Sequence, residues 1–330
     1  MRLRTSERLA WLLTLGVALS AALACGSARS EVEIDGSSTV YPITEAVAEE
    51  FRNEAPDVQV PVGVSGTGGG FFRFCSGETD VTNASRPIKT GPDSEAARCE
   101  ANGIQFIEVP VAYDGLSVAV HPDNDWLSCI TVQELNTIWA PASEGVVNNW
   151  SDVNPAWPDE PIDLFSPGTD SGTFDYFTEV INGEGGASRT DFTPSEDDNV
   201  LVQGVAGSPY ALGYFGLAFL EENRERVKGV EVDGGRGCVP PSRETVQDGS
   251  YVPLSRPLFI YVNLEASRDP EVQKFVDFYL DSAPALATEV GYVPFPDRFY
   301  DEIRERWQAG VTGSIFSGTH GTVGEILGVE

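Results

Sequence analysis

Three stretches of this chain combine glycine with hydroxyl side chains: Asp35-Gly36-Ser37-Ser38-Thr39, Ser65-Gly66-Thr67-Gly68-Gly69-Gly70 and Pro167-Gly168-Thr169-Asp170-Ser171-Gly172-Thr173. Each follows a strand-like run and precedes an apolar, helix-like one. A helix N-terminus offers unpaired N–H groups and about half a positive charge. Glycine lets backbone approach closely, and Ser and Thr add hydroxyl donors. Three such turns facing one cleft make a site for a tetrahedral oxyanion. Any one of them alone is more often just a turn; three placed alike carry the signal.

The same residues exclude other chemistry. Ser65 to Gly70 lacks the Lys-Ser/Thr ending of a P-loop. Gly168-Thr169-Asp170-Ser171-Gly172 does not fit G-x-S-x-G, and the two histidines, His121 and His320, lack a triad context. A secreted phosphatase or phosphodiesterase using Ser171 would need a base or metal that the sequence does not offer. Cys75, Cys99, Cys129 and Cys238 show no C-x-x-C spacing, so no metal site is expected. No cofactor is expected either.

The elements that must position these turns follow from periodicity. Val32 and Ile34 begin a strand, and Pro42 sits where the first turn of a helix tolerates it, ahead of Ile43, Ala46, Val47 and Phe51. Val58, Val60, Val62 and Val64 alternate as a second strand. Ile162, Leu164 and Phe165 form another, followed by the helix face of Phe174, Phe177, Val180 and Ile181. Thr131 and Glu134 make a capping box that opens a helix through Trp139. Alternating strands and helices indicate an α/β class with largely parallel sheets, built as two Rossmann-like lobes. Gly115 to Val120 and Leu258 to Val262 are expected to cross between the lobes. Lobe 1 then takes residues 31–112 and 257–330, and lobe 2 takes 113–256.

Length and charge agree with two lobes and narrow the partners. The 330 residues suffice for two cores. Twenty-one basic and 51 acidic residues give a net charge of −30, which disfavours nucleic acid and anionic lipid as partners. High acidity with few lysines keeps a surface hydrated in saline water, a matter of solubility and not of function.

Residues 1–24 read as an export signal. Arg2, Arg4 and Arg8 precede the apolar run Leu9 to Ala24, and Ala22-Leu23-Ala24 is an A-x-A cleavage site. Cys25 follows directly, opening a short tether over 25–30. It is read either as a lipid-modified first residue or as an unpaired thiol. Parity favours lipidation, because four cysteines remain to pair, although Ala22 stands where lipoprotein signals usually carry Leu. The expected disulfides are Cys75–Cys99 and Cys129–Cys238, one within each lobe; other pairings would staple the lobes together and block a hinge. Residues 310–330 suggest only a turn and a short edge element.

Taken in order, six segments resemble the PstS-type phosphate-binding proteins, the substrate-binding subunits of phosphate ABC transporters. They are Gly36 to Pro42, Gly66 to Gly70, Ala84-Ser85-Arg86-Pro87-Ile88, Asp114-Gly115, Asp170 to Phe174 and Ala211-Leu212-Gly213-Tyr214-Phe215. The resemblance implies a type II periplasmic-binding-protein architecture, phosphate in the cleft, hinge closure, and delivery to a membrane permease by a monomer that is not an enzyme. It implies that Ser38, Thr39, the Val40 backbone, Thr67, Gly68, Ser171, Gly172 and Thr173 hold the anion, with Arg86 as the buried positive charge and Asp114 supporting from behind. Well-known members carry Asp at the Arg86 position and an Arg where this chain has Pro167, so the arginine is expected to have changed lobes. Asp170 is then the carboxylate expected to accept the proton of HPO₄²⁻, which sulfate lacks. The rival readings are another tetrahedral oxyanion, sulfate or molybdate, and a surface interaction protein that has kept the fold.

Overall fold

The computed structural model describes residues 30–169, 171–195, 197–318 and 323–328, so the expected export signal, Cys25, Asp170 and His320 lie outside the described residues. The chain opens with β1 (Ser30–Glu31), β2 (Ile34–Gly36), α1 (Tyr41–Glu54), β3 (Val58–Gln59), α2 (Gly66–Cys75), β4 (Val81–Ala84), α3 (Glu95–Ala101) and β5 (Phe106–Val120). Next come β6 (Cys129–Thr131), α4 (Val132–Trp139), α5 (Trp150–Val153), β7 (Asp163–Pro167), α6 (Gly172–Asn182), β8 (Thr193–Ser195), α7 (Asp198–Gly207) and β9 (Ala211–Gly216). The remaining elements are α8 (Leu217–Glu222), β10 (Lys228–Asp233), β11 (Cys238–Val239), α9 (Arg243–Gln247), β12 (Ser255–Asn263), α10 (Pro270–Glu289), α11 (Asp297–Gln308) and α12 (Val323–Leu327).

Among the described residues, ten strands form one curled sheet in the order β2-β4-β12-β5-β9-β7-β8, with β10 joined to β5, β6 and β11. The α/β class is as expected, but the sheet is mixed. β2 and β4 are parallel, as are β8, β7 and β9, while β12 runs antiparallel to β4 and β5, and β9 and β10 run antiparallel to β5. The reason is that β5 passes from one half into the other and β12 returns. β5 pairs with β12 from Phe106 to Gly115 and with β9 from Leu116 to Val120, so the partner changes beside Asp114. All 15 residues of β5 are buried, as befits a strand covered by neighbours on both edges and helices on its faces.

The alternating valines make less strand than expected. Only Val58–Gln59 pairs with β1, and a single bridge joins Ile34 to Val62. Pro61 lies between them and has no N–H to continue a ladder. Val64 is 53% exposed, on the rim of the cleft.

One hydrophobic core runs through both halves. Phe51 packs edge-on against Phe275, and the buried Thr44 hydroxyl bonds Asn83 Oδ1 and Tyr279 OH at 2.9 and 3.0 Å. In the other half, Phe177 stacks on Tyr214 at 3.7 Å beside Trp139, so Trp139 and Tyr214 belong to the core. Cys75–Cys99 joins α2 to α3 and Cys129–Cys238 joins β6 to β11. Near the C-terminus, the buried Glu108 carboxylate accepts from Tyr261 OH at 2.7 Å and from the Ile315 N–H at 2.9 Å, tying residues 314–316 to β5. Among the described residues no helix is long and apolar enough to cross a membrane.

Candidate functional site

Local chain geometry brings two helix starts together. Gly36 ends β2 at φ +143°, and a Cβ there would lie 2.2 Å from the Asn83 carbonyl, so the turn into α1 requires glycine. Neither α1 nor α2 has a side-chain cap, although in α1 the Tyr41 N–H already bonds the Ser37 carbonyl at 3.0 Å and Pro42 has no N–H to offer. α6 differs, because Ser171 Oγ accepts from the Thr173 N–H at 3.2 Å and caps its own helix.

α1 and α6, from opposite halves, touch at their starts. A Cβ on Gly172 would meet the Cα, N and Oγ1 of Thr39 at 2.7 Å each. Thr39 Oγ1 donates to the Gly172 carbonyl at 3.2 Å, and the Tyr292 hydroxyl donates to the Thr39 carbonyl. The contact divides the cleft into two cavities that share Ser38 and Thr39 as a wall. One, of about 320 Å³, adds Ser171, Gly172, Thr173, Tyr41 and Tyr292. The other, of about 330 Å³, adds Thr67, Gly68, Ser85, Arg86, Asp175, Glu179 and Arg256. Both are at the small end of the range for ligand sites. The structure therefore gathers Ser38, Thr39, Thr67, Gly68 and Arg86 in one cavity, and puts Ser171, Gly172 and Thr173 in its neighbour. Val40 is fully buried behind them.

Thr67 lies at the start of α2, and its Oγ1 is 3.0 Å from Ser85 Oγ and accepts the Ser85 N–H at 3.2 Å. Arg86 lines the cavity, but its guanidinium is engaged. Nη2 and Nη1 donate to the two Glu95 oxygens at 2.6 and 2.9 Å. Burial raises the Glu95 carboxyl, yet the hydrogen bonds from Arg86 and the Lys89 N–H outweigh it and hold the pKa below its ordinary value.

A second arginine, not foreseen from the sequence, stands at the crossing. Arg256 lies directly opposite Asp114 in the β12–β5 ladder. Its Nη2 donates to Thr39 Oγ1 at 3.2 Å, and its guanidinium carbon sits 3.5 Å from the Tyr176 ring centroid. Its Nε is 3.6 Å from Asp114 Oδ2 and its Nη1 is 3.6 Å from Glu179 Oε2. Neither Asp114 Oδ2 nor Arg256 Nε has a hydrogen-bond partner among the described residues. Burial pushes the Asp114 carboxyl up to about 6, against the lowering pull of Arg256. Arg86 thus lines the cavity while paired with Glu95, and Arg256 reaches from β12 to Thr39 at the start of α1, so two arginines stand at the site. A signal was present. Ser85-Arg86-Pro87 and Ser255-Arg256-Pro257 are the same triplet, and β4 and β12 are antiparallel neighbours with Ala84 opposite Phe259. The two arginines consequently emerge at the same sheet end.

Comparison with known proteins fits this arrangement. The family model described as a PBP superfamily domain matches residues 23–283. Protein SphX of Synechocystis sp. is 48% identical over 322 residues, 96% of this chain and 94% of that protein. The phosphate-binding protein PstS of Staphylococcus saprophyticus is 40% identical over 279 residues, 84% of each chain. The chain belongs to the PstS-type family of the PBP superfamily. Its architecture is the type II periplasmic-binding-protein fold. The crystal structure of a possible phosphate binding protein from Planctomyces limnophilus superposes with a TM-score of 0.82 at 48% identity, covering 86% of this chain and all of the other. An ABC-type phosphate transport receptor from Vibrio cholerae, 22% identical with a TM-score of 0.63 over 79% of this chain and 99% of that one, shares the fold.

Proposed function

We propose that this chain captures inorganic phosphate in the cleft between its halves and delivers it to the membrane permease of an ABC transporter. One observation carries the reading: Arg256, Ser38, Thr39, Thr67, Gly68, Ser85 and Arg86 converge on one cavity at the point where β5 and β12 cross. Relatives named for phosphate binding support the choice of ligand. In this reading Ser38, Thr39 and the Val40 backbone hold the anion at α1, Thr67 and Gly68 hold it at α2, and Ser171, Gly172 and Thr173 close over it from α6. Arg256 supplies the principal charge, with Asp114 behind it. Asp175, which lines the cavity, and Asp170, two positions before α6 in the sequence, accept the phosphate proton, so that fully deprotonated sulfate meets bare carboxylates. Halves spanning 31–112 with 257–330, and 113–256, move about the crossing strands. Export by residues 1–24 and a lipid on Cys25 would hold the protein, as a monomer, at the outer face of the cell membrane. Binding without catalysis is favoured because no histidine lines the cavity among the described residues and Ser171 is engaged as a helix cap.

Calorimetric titration with phosphate and then sulfate tests this reading. Wild-type protein should bind one phosphate tightly and sulfate at least a hundredfold more weakly. Arg256→Ala should lose about a hundredfold in phosphate affinity, since truncating one member of a buried charge pair costs about 2–5 kcal/mol. Equal binding of the two anions would reject the carboxylate roles. No phosphate binding by folded wild-type protein would turn the reading toward surface interaction.

A further inference from the structure

Arg256 is surrounded unequally. Its Nε points at the buried Asp114, its Nη2 is bonded to Thr39, and one face of its plane lies on Tyr176. Nη1 and the second N–H of Nη2 remain as donors for an anion, since an arginine binds an oxyanion through its N–H edge. Glu179 stands beside Nη1, with Oε2 3.6 Å away, and lines the cavity itself. The two carboxylates beside Arg256 differ in freedom. Asp114 is 3% exposed in the strand ladder and has nowhere to go, whereas the Glu179 side chain is 50% exposed on α6 and swings into water at little cost.

We propose that Glu179 is a built-in competitor of the bound anion: it shields the Nη1 edge of Arg256, phosphate displaces it, and its competition sets the affinity of the site. This rests on the phosphate reading above and deepens it. A second consequence is that Glu179 opposes any dianion at the cavity until it has moved. It therefore weakens phosphate and sulfate alike and does not discriminate between them.

The test is calorimetric titration of wild type, Glu179→Gln and Asp123→Asn with phosphate, then sulfate, at pH 8 and low salt. Asp123 is an exposed carboxylate outside the cavity, so its variant reports the effect of one lost surface charge. Glu179→Gln should lower the phosphate Kd about fivefold, the upper reach of an exposed ion pair, and shift sulfate by the same factor. Asp123→Asn should shift it by less than twofold. A Glu179→Gln protein that binds phosphate no better, or worse, overturns the proposal, because Glu179 would then be orienting Arg256 or holding the ligand. An equal gain in Asp123→Asn also overturns it in favour of the general field. Wild type that binds no phosphate removes the underlying reading and this inference together, whereas wild type that binds with an unimproved Glu179→Gln removes the inference alone.

Discussion

Ionising Asp114 burdens this fold. It sits under the site at the partner change of β5, fully covered, with an arginine nearby but no hydrogen bond to its Oδ2 among the described residues. Its carboxyl rises from an ordinary 3.8 to about 6 on burial. A carboxyl raised in the folded state binds more protons there than in the unfolded chain, so its contribution falls as pH rises from about 4 to about 6 and then levels off. A rise of that size corresponds to about 3 kcal/mol. Denaturant unfolding of wild type and Asp114→Asn in phosphate-free buffer should show the stability difference moving in favour of the variant by about that amount between pH 4 and pH 7; a flat difference would show that Asp114 does not titrate as argued. Legibility at this scale was uneven. Ser38, Thr39, Thr67 and Gly68 stood out because glycine and hydroxyls beside a helix start mean something on their own. Arg256 did not, because an arginine acquires its role only from what lies opposite, and Asp114 is more than a hundred positions away. The repeated Ser-Arg-Pro triplet becomes informative once β4 and β12 are known to be adjacent.

At the scale of elements, the starts of α1 and α6 meet through Thr39 and Gly172. That contact brings two helix N-termini from different halves into one place, which neither half achieves alone. Glycine at position 172 is required by the close approach of Thr39. Gly172→Ala should hold the starts apart: overpacking of about 1–3 kcal/mol at this contact predicts phosphate affinity lower by about fivefold to a hundredfold. The unfolding midpoint should be unchanged or slightly raised, because alanine is the better helix former. Small-angle scattering should show a larger radius of gyration for the variant in phosphate than for wild type, and an unchanged radius with unchanged affinity would remove the contact from the closure. Helices and strands were largely readable, since amphipathic period, caps and turn residues are local. The capping box of Thr131 and Glu134 forms as read, with the Glu134 N–H donating to Thr131 Oγ1 at 3.1 Å. What could not be read was strand direction, because the antiparallel pairing of β5 and β12 joins residues far apart in sequence. The valine strand was overestimated because alternation gives the preferred face, while Pro61 decides where the ladder stops.

The whole molecule works against its own site. Twenty-one cationic and 51 anionic side chains give a charge of −30, and an incoming phosphate must cross that field before it reaches any helix start. The two influences differ in range. Helix ends, hydroxyls and Arg256 act over a few ångströms inside a cleft, where salt screens them poorly. The surface carboxylates act from afar and are screened beyond about 10 Å at 0.1 M salt and about 3 Å at 1 M. Added salt should therefore lift the barrier to approach more than it weakens the grip. Stopped-flow mixing with phosphate, read by intrinsic tryptophan fluorescence to which Trp139, packed against Phe177 of α6, contributes, should give an association rate that rises severalfold between 10 mM and 300 mM NaCl, with a dissociation rate nearly constant. For a ligand drawn in by long-range attraction the association rate would fall over the same range. A fall here would mean that a local positive field at the cleft mouth, around Arg86, Lys89 and Arg256, outweighs the acidic surface during encounter. The rise is expected because Arg86 is paired with Glu95, and Arg256 faces Asp114 and Glu179, so little uncompensated positive charge extends into solvent.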